Sequence, residues 1–320
     1  MKRVHTSLFG AHDGRDPIYN RLRNPAPKKS DTSEILARGR ALSEELWSRT
    51  AGFLDSDLPD KATRQFHQCF WERYLAASLL DLNLALVPRA ERKKPSVGPD
   101  LQVAPNIWLE AIAVTSGAGQ DAVPDTTSGP ANKAHDVPDE QITLRLISGI
   151  TEKRNKFDSY RQNGIVGSDD VCIVALNAAL VPPLNFEWFP PRIVRAVMEF
   201  GHPVVAMDRS SREIIERTNE HQATITKLSG SAVPQGLFRD GSCSSVSACL
   251  YSIAHFGFAP HTLGVDFVRA HNPTASVPLR RELFQRGRRP SFVRPRHLKR
   301  DIVGHEAGTI GAANQPLSHG

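Results

Sequence analysis

The sequence predicts an α/β fold in which a helix, three strands, a second helix and a fourth strand follow one another. Apolar residues recur at helical spacing over residues 62–84 and again over residues 141–160. Residues 171–179 form a nearly continuous apolar run between acids and prolines, which is typical of a strand buried on both faces of a sheet. With 320 residues, the chain is long enough to bury a substantial core.

Composition divides the chain into four regions. Residues 1–33 are rich in Arg, Lys, Pro, Asp and Ser without periodicity, and we expect a flexible basic arm there. The core would span residues 34–180 and contain a long loop at 116–140. Residues 181–279 would form a C-terminal α/β extension of the same or a second domain, and residues 280–320 a basic, mobile tail.

Helices are predicted before the sheet. The first covers residues 33–47, with Ser33 as a candidate cap. A longer helix would cover residues 62–84, and a short strand near residues 84–87 would follow it. We therefore expect that strand to begin a three-stranded antiparallel meander.

A hairpin in the next segment brings two acidic residues together. Residues 101–103 and 107–114 are predicted strands, joined by the turn at residues 104–106. If those three residues form the whole loop, Asp100 lies opposite Glu110, with Cβ atoms about 5 Å apart. Such carboxylates repel unless a cation lies between them, so the pair predicts a divalent metal site. A register slip of one residue would instead place the two side chains on opposite faces.

Two lysines are candidate partners of these acids. Lys153 lies on the apolar stripe of the helix predicted over residues 141–160, where an ammonium group is costly unless it meets an anion. It could point toward the metal and polarise a water molecule or a phosphate, or it could extend to solvent along apolar surface. Lys156, on the flank of the stripe, is the second choice.

Two further polar residues stand near the predicted site. Glu72 falls near the buried side of the helix over residues 62–84 and could be a third carboxylate at the metal. It could equally form a structural ion pair with Arg73 or Arg92. Gln141, beside the long loop, could bind a phosphate or a metal-bound water, or simply face solvent.

The basic excess of the chain is concentrated near its C-terminus. The net charge is +6, and residues 280–300 contain nine Lys or Arg against one acid. Such a segment suits a polyanion, of which nucleic acid is the commonest in the cytosol, although a solvated tail would have the same composition. The candidate nucleic-acid-binding residues are Arg286, Arg288, Arg289, Arg294, Arg296, Lys299 and Arg300.

Other protein classes lack sequence support. No apolar stretch has the length of a membrane span and the N-terminus has no secretory segment, so we expect a cytoplasmic protein without a membrane partner. None of the four cysteines forms a C-x-x-C pair, which favours reduced thiols. P-loop, dinucleotide-binding and zinc-protease motifs are missing from the sequence.

The hairpin and its flanking elements resemble the PD-(D/E)XK nuclease superfamily. Pro99-Asp100 followed by Glu110-Ala111 is similar to the family signature. The predicted order of helix, three strands, helix and strand over residues 62–179 resembles the family's restriction-endonuclease-like core.

The chain departs from that signature at one position. Ile112 stands where the family has its lysine, two residues after the glutamate. Some members supply the lysine from the neighbouring helix, which gives a second reason to notice Lys153. Glu72 resembles an acid that several members carry on the first core helix.

The resemblance implies metal-dependent hydrolysis of phosphodiester bonds, with DNA as the first substrate to consider. Asp100, Glu110 and the backbone carbonyl of Ala111 would hold Mg²⁺, with Mn²⁺ as a substitute, and Lys153 would assist the metal-bound water. The alternative is a catalytically inactive nuclease-like fold that binds nucleic acid or another protein.

Overall fold

The computed structural model describes residues 7–25, 31–103, 105–125, 137–182 and 190–284, together with the backbone of residues 301–302. These residues form a mixed α/β structure. The helices are α1 (Pro17–Arg23), α2 (Asp31–Thr50), α3 (Leu58–Ala62), α4 (Phe66–Asp81), α5 (Asp139–Gln162) and α6 (Arg192–Met198). The strands are β1 (Leu101–Val103), β2 (Ile107–Thr115), β3 (Val171–Leu180), β4 (Phe200–Met207), β5 (Ile214–His221), β6 (Thr224–Thr226), β7 (Ala232–Pro234), β8 (Ala248–Ser252), β9 (Val268–His271) and β10 (Asp301–Ile302).

Six of these strands form one mixed sheet in the order β1-β2-β3-β8-β9-β10. β1 is antiparallel to β2, whereas β2, β3 and β8 are mutually parallel. β9 is antiparallel to β8 and parallel to β10. Helix α5 makes the crossover that two parallel neighbours such as β2 and β3 require. The first nine residues of β3 are buried, which confirms the strand predicted from its apolar run.

The β1–β2 hairpin has the register predicted from the sequence. Leu101 lies opposite Leu109, and Val103 lies opposite Ile107. Because β1 begins at Leu101, β2 extends beyond it at residues 110–113. We call this stretch the open edge of β2.

The sheet separates two apolar cores. On one face, Trp71 of α4 packs in the same core as Leu109 and Ala111 of β2. On the other face, Ile150 of α5 shares a core with Val174 of β3. Helices α4 and α5 therefore cover opposite faces of the sheet, and both make contacts with β2.

The helix predicted over residues 62–84 is in fact two helices. The backbone carbonyl of Thr63, in the break between α3 and α4, accepts hydrogen bonds from the backbone N–H groups of Arg15 and Asp16. The Asp16 carboxylate in turn accepts from the backbone N–H of Phe66. The N-terminal segment thus caps the start of α4.

Residues 1–33 are therefore not a flexible arm throughout. Asp16 caps α1, and Leu8, Tyr19 and Leu22 are buried in the first core. The helix predicted over residues 33–47 lies within the longer α2. Residues 1–6 and 26–30 lie outside the described part of the chain.

The strand predicted at residues 84–87 is reduced to one isolated antiparallel bridge, between Leu86 and Val103. All four cysteines are free thiols and are buried. Of the long loop predicted at 116–140, residues 126–136 are not described, and neither are residues 285–300, which hold the candidate nucleic-acid-binding cations. Within the ranges described, no helix has both the length and the apolar character needed to cross a membrane.

Candidate functional site

Asp100 and Glu110 lie together where β2 extends beyond β1. The Asp100 Oδ2 atom accepts a hydrogen bond of 2.7 Å from the backbone N–H of Ala111. Gly98 has a φ of 125°, which an L side chain rarely adopts, and lets the chain turn into β1. Glu110 is adjacent to Ala111 and only 1% exposed. The predicted pair therefore sits at the open edge of β2.

Lys153 makes a direct contact with Glu110. Its Nζ atom donates a hydrogen bond of 2.9 Å to Glu110 Oε2, and its side chain is 7% exposed. Ile150 and Phe157, one turn before and after Lys153, are buried in the second core and hold α5 against the sheet. The ammonium group thus meets an anion instead of extending to solvent.

Two more side chains of α5 point at the same carboxylate. Tyr160 donates a hydrogen bond of 3.1 Å to Glu110 Oε1. Lys156 Nζ lies 3.7 Å from Oε2, and its side chain is 46% exposed. Lys153, Lys156 and Tyr160 have the spacing of one helix face. Sequence reasoning missed Tyr160, although its seven-residue spacing from Lys153 was the available signal.

Helix α4 approaches the open edge from the other face through Gln68. The Oε1 atom of Gln68 accepts a hydrogen bond of 2.7 Å from the Ala113 N–H. Its Nε2 atom donates to the Ala111 carbonyl at 3.2 Å and to Glu72 Oε1 at 2.9 Å. The amide satisfies the backbone of β2 as a neighbouring strand would. No sequence pattern singles out Gln68.

Glu72 is beside the site but does not form the ion pair considered from the sequence. The Arg73 guanidinium lies over the ring of Phe66, 5.5 Å from its centroid. Arg92 donates its hydrogen bonds to backbone carbonyls. Gln68 is therefore the residue that holds Glu72.

Two arginines hold the chain just before β1. Arg92, which is buried, donates to the carbonyls of Pro99 at 2.9 Å, Asp100 at 3.1 Å and Phe53 at 2.8 Å. Arg89 donates to the same Pro99 carbonyl at 3.0 Å. These bonds leave the Asp100 carboxylate free to face β2, because the arginines bind the backbone and not the side chain.

Negative charge is crowded at this site. Burial, followed by the charges of Glu110 and Glu72, raises the pKa of Asp100 well above its usual value. Burial also raises the pKa of Glu72. Burial acts to lower the pKa of Lys153, but the charges of Glu110 and Asp100 outweigh it, and that pKa is raised. A bound cation would relieve the repulsion that these shifts report.

The oxygen atoms at the open edge fit a hard divalent cation. Carboxylates and backbone carbonyls are ligands of Mg²⁺ and Mn²⁺. No group of three or more His, Cys, Asp or Glu able to hold an ion occurs in the described ranges. A cation here would therefore rest on Asp100, Glu110, the Ala111 carbonyl and water, and Mg²⁺ is usually held by one or two carboxylates together with a phosphate.

The other candidates from the sequence lie elsewhere. Gln141 is in the first turn of α5, twelve residues before Lys153, which places it about 18 Å away along the helix axis. The seven basic residues from Arg286 to Arg300 lie outside the described chain. The site thus consists of side chains from the β1–β2 hairpin, α4 and α5.

Comparisons with known proteins add no relative to this description. No protein-family model matches the sequence, and neither the curated proteins nor the solved structures gave a match.

Proposed function

We propose that this protein is a metal-dependent nuclease that hydrolyses phosphodiester bonds, with DNA as its principal substrate. The observation that carries the proposal is the meeting of Asp100, Glu110 and Lys153 at the open edge of one strand, with contacts of 2.7 and 2.9 Å. The order of α4, β1, β2, α5 and β3, with the two helices on opposite faces, also supports a restriction-endonuclease-like core.

Asp100, Glu110 and the Ala111 carbonyl would hold Mg²⁺ or Mn²⁺. When bound, such an ion lowers the pKa of a coordinated water and stabilises charge on phosphate oxygens. The protein would fix the ligands in place: Ala111 N–H orients the Asp100 carboxylate, and Gln68 orients the carbonyl of Ala111.

Lys153 would take the place of the lysine missing at Ile112. Ile112 and Glu110 point to the α5 face of the sheet, and the Cδ1 atom of Ile112 lies 3.6 Å from where a Cβ of Gly149 would be. Gly149 precedes Lys153 by about one turn. The helix therefore crosses the face from which a lysine at position 112 would project, and it supplies an ammonium group there.

The buried ammonium group has two roles in this proposal. It neutralises Glu110, which would otherwise be an unpaired charge in an apolar setting. Its remaining donors can stabilise the negative charge that develops on the phosphate during attack by water. Tyr160 holds Oε1 of Glu110, so that Oε2 stays directed toward Lys153.

A cleavage assay tests the proposal. Purified full-length protein is incubated with plasmid DNA, linear DNA and RNA in Mg²⁺, in Mn²⁺ and in EDTA. We expect cleavage of DNA with either metal and none in EDTA. Glu110→Gln should abolish it, whereas Glu213→Gln, at an exposed residue, serves as the matched control and should not. Binding without cleavage under every condition would favour the inactive binding module instead.

A further inference from the structure

Three lysines surround the acidic site on its solvent side. Lys93 and Lys94 are exposed in the turn that precedes β1, and the side chain of Lys156 is half exposed on α5. We call these three residues the basic rim. By contrast, Glu110 and Lys153 beneath them are nearly inaccessible.

The basic rim borders both Glu110 and the end of α5. Lys156 Nζ lies 3.7 Å from Glu110 Oε2. Lys94 Nζ donates a hydrogen bond of 3.1 Å to the carbonyl of Asn163, which caps the end of α5. The turn that holds Lys93 and Lys94 therefore meets the helix that holds Lys156, about 10 Å along the axis from that lysine.

Arginine contacts fix this turn in position. Arg92, between the rim lysines and Asp100, donates to the backbone carbonyls of Pro99 and Asp100. The rim lysines consequently keep a set position relative to the carboxylates. Residues 89–94 carry four cations and one acid, Glu91, so the turn is strongly positive.

We propose that the basic rim binds backbone phosphates of a nucleic acid on either side of the bond to be cut. This inference rests on the nuclease function proposed above. Exposed lysines act as point charges without the planar fork of arginine, which suits successive phosphates of any sequence better than one small anion. A strand that approaches the buried acids meets Lys93, Lys94 and Lys156 first. The site would thus hold substrate without the basic segment at residues 280–300.

The test measures binding of a fluorescent DNA duplex in EDTA as salt rises from about 50 to 200 mM. Each lysine that no longer neutralises a phosphate should reduce the slope of log K against log salt by about 0.9. We expect Lys93→Gln/Lys94→Gln to reduce the slope by about 2. The matched control, Arg209→Gln/Arg217→Gln, removes two exposed cations from the β4–β5 hairpin and should leave the slope unchanged.

Two further variants keep the outcome clear. Lys93→Arg/Lys94→Arg retains the charge and should restore the slope, which separates charge from any loosening of the turn at Lys94. Lys156→Gln should reduce the slope by about 1. Slopes equal to wild type in both glutamine variants, with wild-type protein still cleaving DNA, would overturn the basic rim and leave the nuclease proposal standing. Wild-type protein that neither binds nor cleaves nucleic acid would overturn both.

Discussion

Glu110 and Lys153 are the two residues on which the site depends most. Both are almost wholly buried, so each charge is deprived of water and relies on the other. Breaking a buried ion pair by removing one partner typically costs about 3–5 kcal/mol, whereas removing both charges costs far less. That asymmetry separates a buried pair from a surface salt bridge.

A double-mutant cycle should show this dependence. Lys153→Met leaves Glu110 as an unpaired buried charge, and we expect the free energy of unfolding to fall by about 3–5 kcal/mol. Adding Glu110→Gln should recover most of that loss, because no buried charge remains. Urea denaturation of the single and double variants measures both effects. Additive losses in the double variant would mean that the two charges are not coupled.

Asp100 should reduce stability at neutral pH. Its raised pKa means that the folded protein binds the proton more tightly than the unfolded chain does. The stability gained from this proton is complete below the usual pKa of aspartic acid and is lost as the pH rises through the raised value. Asp100→Asn should therefore be more stable than wild type at pH 7 while losing activity, and the gap should close on acidification.

Thermal unfolding between about pH 4 and 8 measures that gap, since the pKa of Asp in an unfolded chain is about 3.9. Asp169→Asn, at an exposed residue, is the control for the loss of one surface charge. An Asp100→Asn protein less stable than wild type at pH 7 would show that the carboxylate stabilises the fold.

The element that places the lysine is α5, and its distance from β2 matters. A Cβ atom at Gly149 would lie 2.9 Å from Val114 Cγ1 and 3.5 Å from Leu176 Cδ2. Only glycine permits so close an approach of the helix to the sheet. The approach brings Lys153, one turn later, within hydrogen-bond distance of Glu110.

Gly149→Val should separate α5 from the sheet. Overpacking costs about 1–3 kcal/mol, and the helix propensities of Gly and Val differ by too little to offset it. We expect lower stability in urea and a loss of cleavage even at temperatures where the variant is folded. Gly52→Val, at an exposed glycine with no atom within 4 Å of the added Cβ, should change neither. Full cleavage by folded Gly149→Val would detach activity from this helix contact.

Local sequence signals were sufficient for some elements and not for others. The hairpin register was predictable because a short turn and strand alternation determine it, and that register placed Asp100 by Glu110. The break between α3 and α4 was not, because it depends on hydrogen bonds to Asp16, about fifty residues away in the chain. Gln68 was missed for the same reason: its partners are backbone groups of β2.

At the scale of the whole molecule, the C-terminal region is partly integrated into the fold. Leu279 and Phe284 are buried in the first core, and β10 pairs with β9. Truncation after Leu279 would therefore remove Phe284 from the core as well as the basic residues. Substitution is the better test of the charge.

Replacing the seven basic residues with glutamine tests whether they bind nucleic acid. If they contact phosphates, affinity for DNA should fall and the salt slope should flatten by about 0.9 for each contact. Fluorescence anisotropy across salt concentrations measures the slope. An unchanged slope would show that the segment only adds solubility. The substituted residues are Arg286, Arg288, Arg289, Arg294, Arg296, Lys299 and Arg300.

The central claim is that Asp100, Glu110 and Lys153 form a metal-dependent hydrolytic site. A single-turnover experiment tests it most directly: DNA is bound to excess protein without metal, and Mg²⁺ is then added. Wild-type protein should cleave the bound DNA, whereas Asp100→Asn should bind the DNA as tightly and leave it intact, because a metal ligand is gone. Cleavage by Asp100→Asn at the wild-type rate would contradict the account.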